Sequence, residues 1–302
     1  MSIRRLLGIR YPILAGPMRG ITLAPFTAAV SEAGALGCLA AAGIDRKEAF
    51  QEQVRDIRRR TGAPFAVNIA WVAPGAESIL EWCLEERIEA VVSSAGMPVP
   101  GVARLKEAGV KVLQLVANVA QARNAEALGA DAVIAKGWES GGLNALQAVA
   151  TMPLVPQVVD AVSLPVIAAG GIGDGRGLAA ALALGAQGAL MGTRLLVARE
   201  CPIHEGYKKA LIAADDLGSR SISFPRFSAR FLESAGLGVL AGGELDWRRL
   251  RPLDEECPDD EMILGAGQIV GLIREQSSVR EIIEQVVEEF RNAAASMGRM
   301  RI

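Results

Sequence analysis

The sequence predicts a (β/α)8 barrel, and three observations lead to that prediction. Eight short apolar segments of strand length alternate with amphipathic helical patterns over residues 1–217. Four of these units repeat one local pattern, in which a helix end is followed by Gly and then by a buried strand: AGALGCLA, AGVKVLQL, LGADAVIA and LGAQGALM. A chain of 302 residues also has room for one barrel of about 250 residues, whereas an open doubly wound sheet usually has about five or six strands.

Each predicted strand is a run of four to six mostly apolar residues that ends at, or within two residues of, Gly, Asn or Ser. The predicted strands are residues 12–15, 36–41, 65–68, 90–93, 111–116, 132–136, 165–169 and 188–191. Helical spacing of apolar residues predicts helices at 22–33, 46–60, 77–86, 99–108, 119–128, 146–162, 174–184 and 207–214. Alternation in this order favours parallel strands with helices packed outside them.

The alternation stops after the eighth strand, which predicts three parts. Residues 1–217 form the barrel, 218–277 form an insertion over the barrel mouth or an oligomer contact, and 278–302 form a C-terminal helix that packs on the barrel. The insertion carries Phe224, Phe227 and Phe231 and charged stretches at 247–251 and 254–261, and it is compatible with a homodimer. The last helix has apolar residues at the spacing of a packing stripe.

Composition excludes several functions. Apolar residues make up 51% of the chain, the net charge is −2, and basic residues do not cluster with aromatic ones, which argues against a nucleic-acid partner. The sequence contains no CxxC pair among its four cysteines, Cys38, Cys83, Cys201 and Cys257, so we expect no metal site. Widely spaced cysteines are also typical of a protein from a reducing compartment. Pro, Gly or charge interrupts every apolar run, so we expect a soluble, cytoplasmic protein with a small-molecule substrate and no membrane contact.

Two glycine turns follow the seventh and eighth strands. Gly170-Gly171 ends one strand and Gly192-Thr193 ends the next. Glycine lets backbone N–H groups approach a ligand, and the loops after strands seven and eight of such barrels commonly bind phosphate. Ordinary strand-to-helix turns explain the same residues, so the local sequence leaves both interpretations open.

Other polar residues fall at strand ends, where a barrel places its active site. They are Gly16-Pro17-Met18 after strand one, Asn68 after strand three, Gln114 or Asn118 after strand five, and Lys136 with the loop GWESGG after strand six. Amide and lysine groups on one side and a phosphate cradle on the other suit a phosphorylated planar cofactor. A strand-end capping role is the alternative for Asn68.

The segments PILAGPM, PFAVNI, AVIAKGWESGG, PVIAAGGIGDG, GALMGTR and LGAGQIVGL resemble, in the same order, the motifs of the nitronate monooxygenase (2-nitropropane dioxygenase-like) family, which includes flavin-type enoyl-ACP reductases. The resemblance implies an FMN-binding barrel. It implies that Gly16, Pro17 and Met18 line the flavin ring, and that Asn68 and Lys136 hydrogen-bond it. The other implied cofactor-binding positions are Gly141, Gly142, Ala169, Gly170, Gly171, Gly192 and Thr193 around the phosphate, and Gly267 and Gln268 at the ring edge.

One position departs from the family pattern. The family's loop after strand six resembles E-[AS]-G-G-H with a catalytic histidine, whereas this chain has Leu143 at the histidine position. Leu143 cannot transfer a proton. Lys136, Glu139, Ser140 and His204 remain as candidates for a proton role, although a structural role is the better interpretation of His204.

The missing histidine separates three functions. Oxidation of a neutral nitroalkane and reduction of an enoyl thioester each need a proton transfer at carbon, whereas a nitronate has already lost that proton. The first interpretation is therefore an FMN-dependent oxidoreductase of the nitronate monooxygenase type that uses O₂. The second is an NAD(P)H-dependent enoyl-thioester reductase, and the third is a flavin-binding protein without redox turnover.

Overall fold

The computed structural model describes residues 2–96, 99–234, 237 and 263–299. The strands are β1 Ile13–Ala15, β2 Gly37–Ala40, β3 Phe65–Ala70, β4 Ala90–Ser94, β5 Lys111–Val116, β6 Ala132–Lys136, β7 Gly142–Asn144, β8 Val166–Ala169, β9 Gly188–Met191, β10 Ser219–Ser223 and β11 Ser228–Leu232. The helices are α1 Ile3–Leu7, α2 Ala24–Glu32, α3 Lys47–Arg60, α4 Ala76–Glu85, α5 Val99–Glu107, α6 Val119–Ala127, α7 Thr151–Ala161, α8 Gly175–Ala183, α9 Thr193–Leu196, α10 Glu205–Ala213 and α11 Val279–Met297, with a 3-10 helix at Gln268–Leu272.

Eight parallel strands form the barrel. Their order is β1-β9-β8-β6-β5-β4-β3-β2. The barrel closes between β2 and β1, because Ala15 N donates to Leu36 O and Leu36 N donates to Ile13 O, both at 2.9 Å. The predicted (β/α)8 barrel is confirmed, and each of its eight strands lies within two residues of the predicted bounds.

Alternate residues of the strands fill the barrel interior. Leu14, Val92, Leu113, Ile134 and Ile167 belong to one buried cluster. Ile3, Leu6 and Leu7 of α1 pack into the same cluster, so α1 belongs to the barrel core and not to a free N-terminal arm. This helix was not predicted, because five residues are too few to show a helical period.

The C-terminal helix α11 takes the place of the eighth barrel helix. It packs mainly against α8 and also against α2, the helices that follow the seventh and the first barrel strands. The backbones of α8 and α11 touch closely, since a Cβ built on Gly175 would lie 2.1 Å from Phe290 N. The residues between β9 and α11 are therefore an insertion between the eighth strand and the eighth helix.

A small antiparallel sheet differs from the predicted elements. The hairpin β10–β11 pairs through β11 with β7, which lies in the loop after β6, and Leu143 is opposite Ala229. No strand was predicted in that loop. The helix predicted at 146–162 begins only at Thr151, because the preceding residues serve β7 and a turn in which Trp138 N donates to Val149 O at 2.9 Å.

Part of the insertion lies outside the described residues. This applies to the charged stretches at 247–251 and 254–261 and to Cys257. The division into parts at residues 217 and 277, and the contact of the whole insertion with the mouth or a second copy, stay predictions. Its described residues meet the barrel at the carboxyl ends of the strands, through β7 and through Gly267.

Candidate active site

The first glycine turn follows β8 and requires glycine at both positions. Gly170 has φ +93° and Gly171 has φ +69°, a region that side chains with a Cβ rarely adopt. A Cβ on Gly170 would also lie 2.6 Å from Ser140 Oγ and 2.9 Å from Gly137 O. This turn is therefore packed tightly against the loop that follows β6.

The second turn, Gly192-Thr193, borders open space. Gly192 has φ −110°, which any residue adopts, so its backbone does not require glycine. A Cβ on Gly192 would meet no atom within 4 Å. Gly142, with φ +68°, is open in the same way. Thr193 Oγ1 accepts a hydrogen bond from Gly267 N at 2.9 Å, and a Cβ on Gly141 would lie 2.8 Å from Gly267 N. The three loops therefore meet around a space where glycine leaves room for a ligand.

The residues after β1 lie beside the second turn. Gly16 N donates to Met191 O at 2.8 Å, and a Cβ on Gly16 would lie 3.4 Å from the Cα of Gly192. Pro17 follows, and Met18 N donates to Thr22 Oγ1 at 3.0 Å while its side chain packs on the core. The fold therefore brings Gly16 next to the second glycine turn, although Gly16 and Gly192 are 176 positions apart in the sequence.

Asn68 continues the inward-facing set of β3 at the carboxyl end of the barrel. Its Nδ2 donates to Val92 O at 2.8 Å and to Ser94 Oγ at 2.9 Å, and the residue is only 5% exposed. The contacts reach across to β4 and do not cap a strand end. Asn68 is thus held rigidly at the floor of the mouth.

Lys136 is the cation of the mouth. It ends β6, pairs with Ala169 of β8, and donates from Nζ to Leu143 O. Burial lowers its pKa from 10.5 to about 8. None of the described carboxylates forms an ion pair with it, so its charge is available to an anionic partner.

Glu139 is engaged by the start of α7. Its carboxylate accepts hydrogen bonds from Thr151 N at 2.9 and 3.0 Å and from Thr151 Oγ1 at 2.9 Å. Thr151 Oγ1 also lies 2.9 Å from Gly170 O, which ties the first glycine turn to the same link. Glu139 thus fixes the loop after β6. Its carboxylate is already hydrogen-bonded to Thr151.

Ser140 has a buried hydroxyl beside the first turn. Its Oγ makes no hydrogen bond to any described residue. A buried polar atom without a partner is uncommon, and a bound ligand or water is one explanation for it. Ser140 therefore has a hydroxyl beside Gly170 that could take a further hydrogen bond.

Leu143 lies in β7 and is half-buried. It packs on the apolar cluster of the small sheet, together with Phe224, Ala229 and Phe231. The insertion thus surrounds Leu143 with apolar side chains. It places no imidazole there.

His204 has a separate place in the fold. Its Nδ1 accepts a hydrogen bond from Gly206 N at 3.2 Å, which caps helix α10. The ring lines a separate cleft of about 370 Å³ with Arg199, Cys201 and Lys208. His204 is therefore not brought together with the glycine turns.

The two alternatives after strand five are also structural. Gln114 is only 2% exposed and donates to Gly96 O and Leu115 O, while its neighbours Leu113 and Leu115 pack with the barrel interior. Alternation then directs Gln114 outward. Asn118 caps α6 by accepting from Gln121 N at 2.9 Å.

Two residues that support the site were missed in the sequence. Thr151 links the loop after β6 to the first glycine turn, as described above. Arg230 is only 3% exposed and lies 5.1 Å from the centre of the Trp138 ring, and burial lowers its pKa while the nearby Glu139 opposes that change. Residues 138 and 230 are 92 positions apart, and no local pattern joins them.

This arrangement defines a class of protein, a (β/α)8 barrel with glycine turns after its seventh and eighth strands at the carboxyl end of the barrel. The model of the nitronate monooxygenase family matches residues 2–82 and 72–218. The chain belongs to this family, as its motifs indicated. It is therefore an oxidoreductase, and members of the family are flavoproteins.

Individual relatives divide between two chemistries. An octahydroindene-carboxyl-CoA dehydrogenase from Rhodococcus jostii is 28% identical, over 99% of this chain and 98% of that one. A nitronate monooxygenase from Paraburkholderia phytofirmans is 34% identical, over 68% of this chain and 69% of its own. The structure of FabK from Thermotoga maritima superimposes with a TM-score of 0.91 at 36% identity, covering 98% of both chains.

Among the described residues, no helix has the length and apolar character needed to span a bilayer.

Proposed function

We propose that this chain is an FMN-dependent oxidoreductase that oxidises alkyl nitronates with O₂. One observation carries the proposal: the described mouth presents the cation Lys136 and no free carboxylate or imidazole. Glu139 is bound to Thr151 and Leu143 replaces the histidine. A nitronate is an anion that has already lost its carbon proton, so it suits a site with a cation and without a base.

The residues of the cradle fit the phosphate of FMN. Gly142 and Gly192 leave open space, Gly171 holds a left-handed turn, and Ser140 offers a buried hydroxyl without a partner among the described residues. Gly16, Pro17 and Met18 would lie along the ring, with Gly267 and Gln268 at its edge. Lys136 would donate a hydrogen bond to the ring, whereas Asn68, whose two amide hydrogens are donated to β4, would accept one through Oδ1. Bound FMN supplies the electron-transfer chemistry, and the protein supplies position and charge.

A single phosphate suits this site better than a dinucleotide. The segment GIGDGRG follows a strand, but the N–H groups at the start of α8 already have partners. Gly177 N donates to Asp174 Oδ1 at 2.9 Å, and Gly175 N donates to Glu289 Oε2 at 2.9 Å. These donors are the ones that a dinucleotide-binding turn offers to a pyrophosphate.

Lys136 would hold the anionic substrate or the ring beside it. With a pKa of about 8, the lysine carries its proton at neutral pH and attracts negative charge. A base at Leu143 would contribute about 10²–10⁴-fold to a reaction that begins at a C–H bond, and a nitronate does not need that contribution. The expected substrate is therefore the preformed nitronate and not its neutral parent.

An acyl-thioester oxidoreductase is the second candidate. Relatives matched over 98% or more of this chain include the CoA dehydrogenase and FabK, whereas the nitronate monooxygenase relative covers 68%. In that reaction Lys136 would be the proton carrier, since its pKa of about 8 allows exchange near neutral pH.

Anaerobic flavin reduction tests the two candidates. The FMN-loaded protein is mixed, without O₂, with an alkyl nitronate, its neutral nitroalkane, NADH, NADPH or an acyl-CoA, and the loss of flavin absorbance is followed. Rapid bleaching by the nitronate alone supports the proposal. Bleaching by nicotinamide or acyl-CoA with none by nitronate selects the second candidate, and no bleaching by any of them indicates a binding protein without turnover.

A further inference from the structure

A chain of three hydrogen bonds runs through the C-terminal helix α11. Arg194 Nη2 donates to Gln285 Oε1 at 3.2 Å, and Gln285 Nε2 donates to Glu289 Oε1 at 2.9 Å. Glu289 Oε2 then accepts from Gly175 N at 2.9 Å. We refer to Arg194, Gln285, Glu289 and the Gly175 N–H as the relay.

The two ends of the relay are the starts of the two helices that follow the glycine turns. Arg194 is the second residue of α9, which Gly192 caps. Gly175 is the first residue of α8, four positions after Gly171. A third element, α11, therefore connects the backbone segments that carry the two turns.

The Arg194 end of the relay is buried. Arg194 is 7% exposed, and its Nη1 makes no hydrogen bond to any described residue. Burial lowers the pKa of the guanidinium, and the negative charge of Glu289 acts in the opposite direction. Removal of Glu289 or Gln285 would leave this buried cation with less compensation, which favours a shift of α9.

We infer that Gln285 and Glu289 are positioning residues for the phosphate of FMN. They fix the starts of α8 and α9 at the separation at which Gly170-Gly171 and Gly192-Thr193 reach one phosphate. They act through the two turns and not by touching the cofactor. The inference rests on the proposed FMN site, and it adds the C-terminal helix to the machinery that builds that site.

Comparison of FMN with riboflavin isolates the contribution of the phosphate to binding, because riboflavin has the same ring and lacks the phosphate. The full-length chain, freed of flavin, is titrated with each compound and the quenching of flavin fluorescence gives Kd. The variants are Gln285→Ala and Glu289→Ala. Glu288→Ala is the matched control, since Glu288 is an exposed glutamate one position away on the same helix.

Each relay variant should bind FMN about tenfold more weakly, while its riboflavin Kd changes by less than about twofold. Glu288→Ala should change neither Kd. Glu289→Gln should recover part of the FMN affinity, because its amide oxygen still accepts the Gly175 N–H. Thermal melting of each variant checks the fold, and Gln285→Ala, which alters an exposed side chain, provides the test if Glu289→Ala does not fold.

Two results would overturn the inference while the cofactor proposal stands. One is a wild type that prefers FMN and relay variants that keep this preference. The other is an equal loss of FMN and riboflavin affinity, which would mean that the relay only stabilises the fold. A wild type that binds both compounds equally, or neither, would instead refute the phosphate cradle and the proposed function with it.

Discussion

Replacement of Lys136 by methionine tests whether the cation of the mouth is kept for function at the expense of stability. Methionine is similar in length and carries no charge. The folded protein holds the pKa of Lys136 at about 8, against 10.5 for the ordinary lysine. This difference corresponds to about 3 kcal/mol, at about 1.4 kcal/mol for each tenfold change in proton affinity.

The sign follows from proton binding. Between pH 8 and 10.5 the unfolded chain holds the lysine proton and the folded chain releases it, so wild-type stability rises with pH in this window. Below pH 8 the full cost of the buried charge is present. Lys136→Met removes that cost but also the hydrogen bond to Leu143 O, worth about 1 kcal/mol. We expect a net gain of about 2 kcal/mol at pH 7 and a loss of about 1 kcal/mol above pH 10.5.

Urea denaturation of the flavin-free protein at several pH values from 7 to above 10.5 measures this change. Lys209→Met is the matched control, because Lys209 is exposed and its replacement should alter stability little at any pH. The same Lys136→Met protein should bind FMN poorly and lose turnover. A Lys136→Met variant that is less stable than wild type by the same amount at every pH would refute the reasoning, since it would mean that the buried ammonium carries no desolvation cost.

Three further predictions concern the loops around the mouth. Gly171→Val and Gly192→Val should each lower FMN affinity at least about tenfold, because the first places a β-branched residue at φ +69° and the second fills open space; ultrafiltration followed by flavin absorbance measures this, and stoichiometric FMN in both variants would show that the cradle is assigned wrongly. Leu143→His should raise kcat/KM for a neutral nitroalkane by up to about 10²-fold above pH 6.5, with little change for the nitronate, and equal wild-type rates on the two substrates would contradict the idea that a base is missing. Glu139→Ala should lower the free energy of unfolding by about 1–2 kcal/mol in urea denaturation, because Thr151 N loses its acceptor, and Glu139→Gln should lose less; unchanged stability of the alanine variant would argue against this link.

The strands and the two turns were predictable from the sequence for a local reason. A strand buried on both faces is a short apolar run, and a turn with positive φ favours glycine, as at Gly170-Gly171. These requirements act within a few residues of each other. The pattern around residues 164–193 therefore predicted both turns, and the barrel order then brought them together.

The partners of the site residues were decided only by the tertiary structure. Glu139 accepts hydrogen bonds from Thr151, and Lys136 donates one to the carbonyl of Leu143. Gly175 N donates to Glu289, which is 114 residues away in the sequence. Such contacts depend on which elements become neighbours when the barrel closes, and the sequence carries no local pattern for them.

Leu143 shows both what the sequence determines and what the tertiary structure decides. The family resemblance implies, from the identity of this residue alone, that a proton-transferring histidine is absent at this position. Its surroundings came from the fold, since β7 exists only because β11 of the insertion pairs with it. A strand of three residues is too short to show an alternating pattern of side chains in the sequence. Its backbone hydrogen bonds come from β11, where the partner of Leu143 lies 86 residues further along the chain. The sequence by itself therefore determined that residue 143 is a leucine, which cannot transfer a proton. Only the tertiary structure decided which side chains surround Leu143, because long-range strand pairing leaves no local signal.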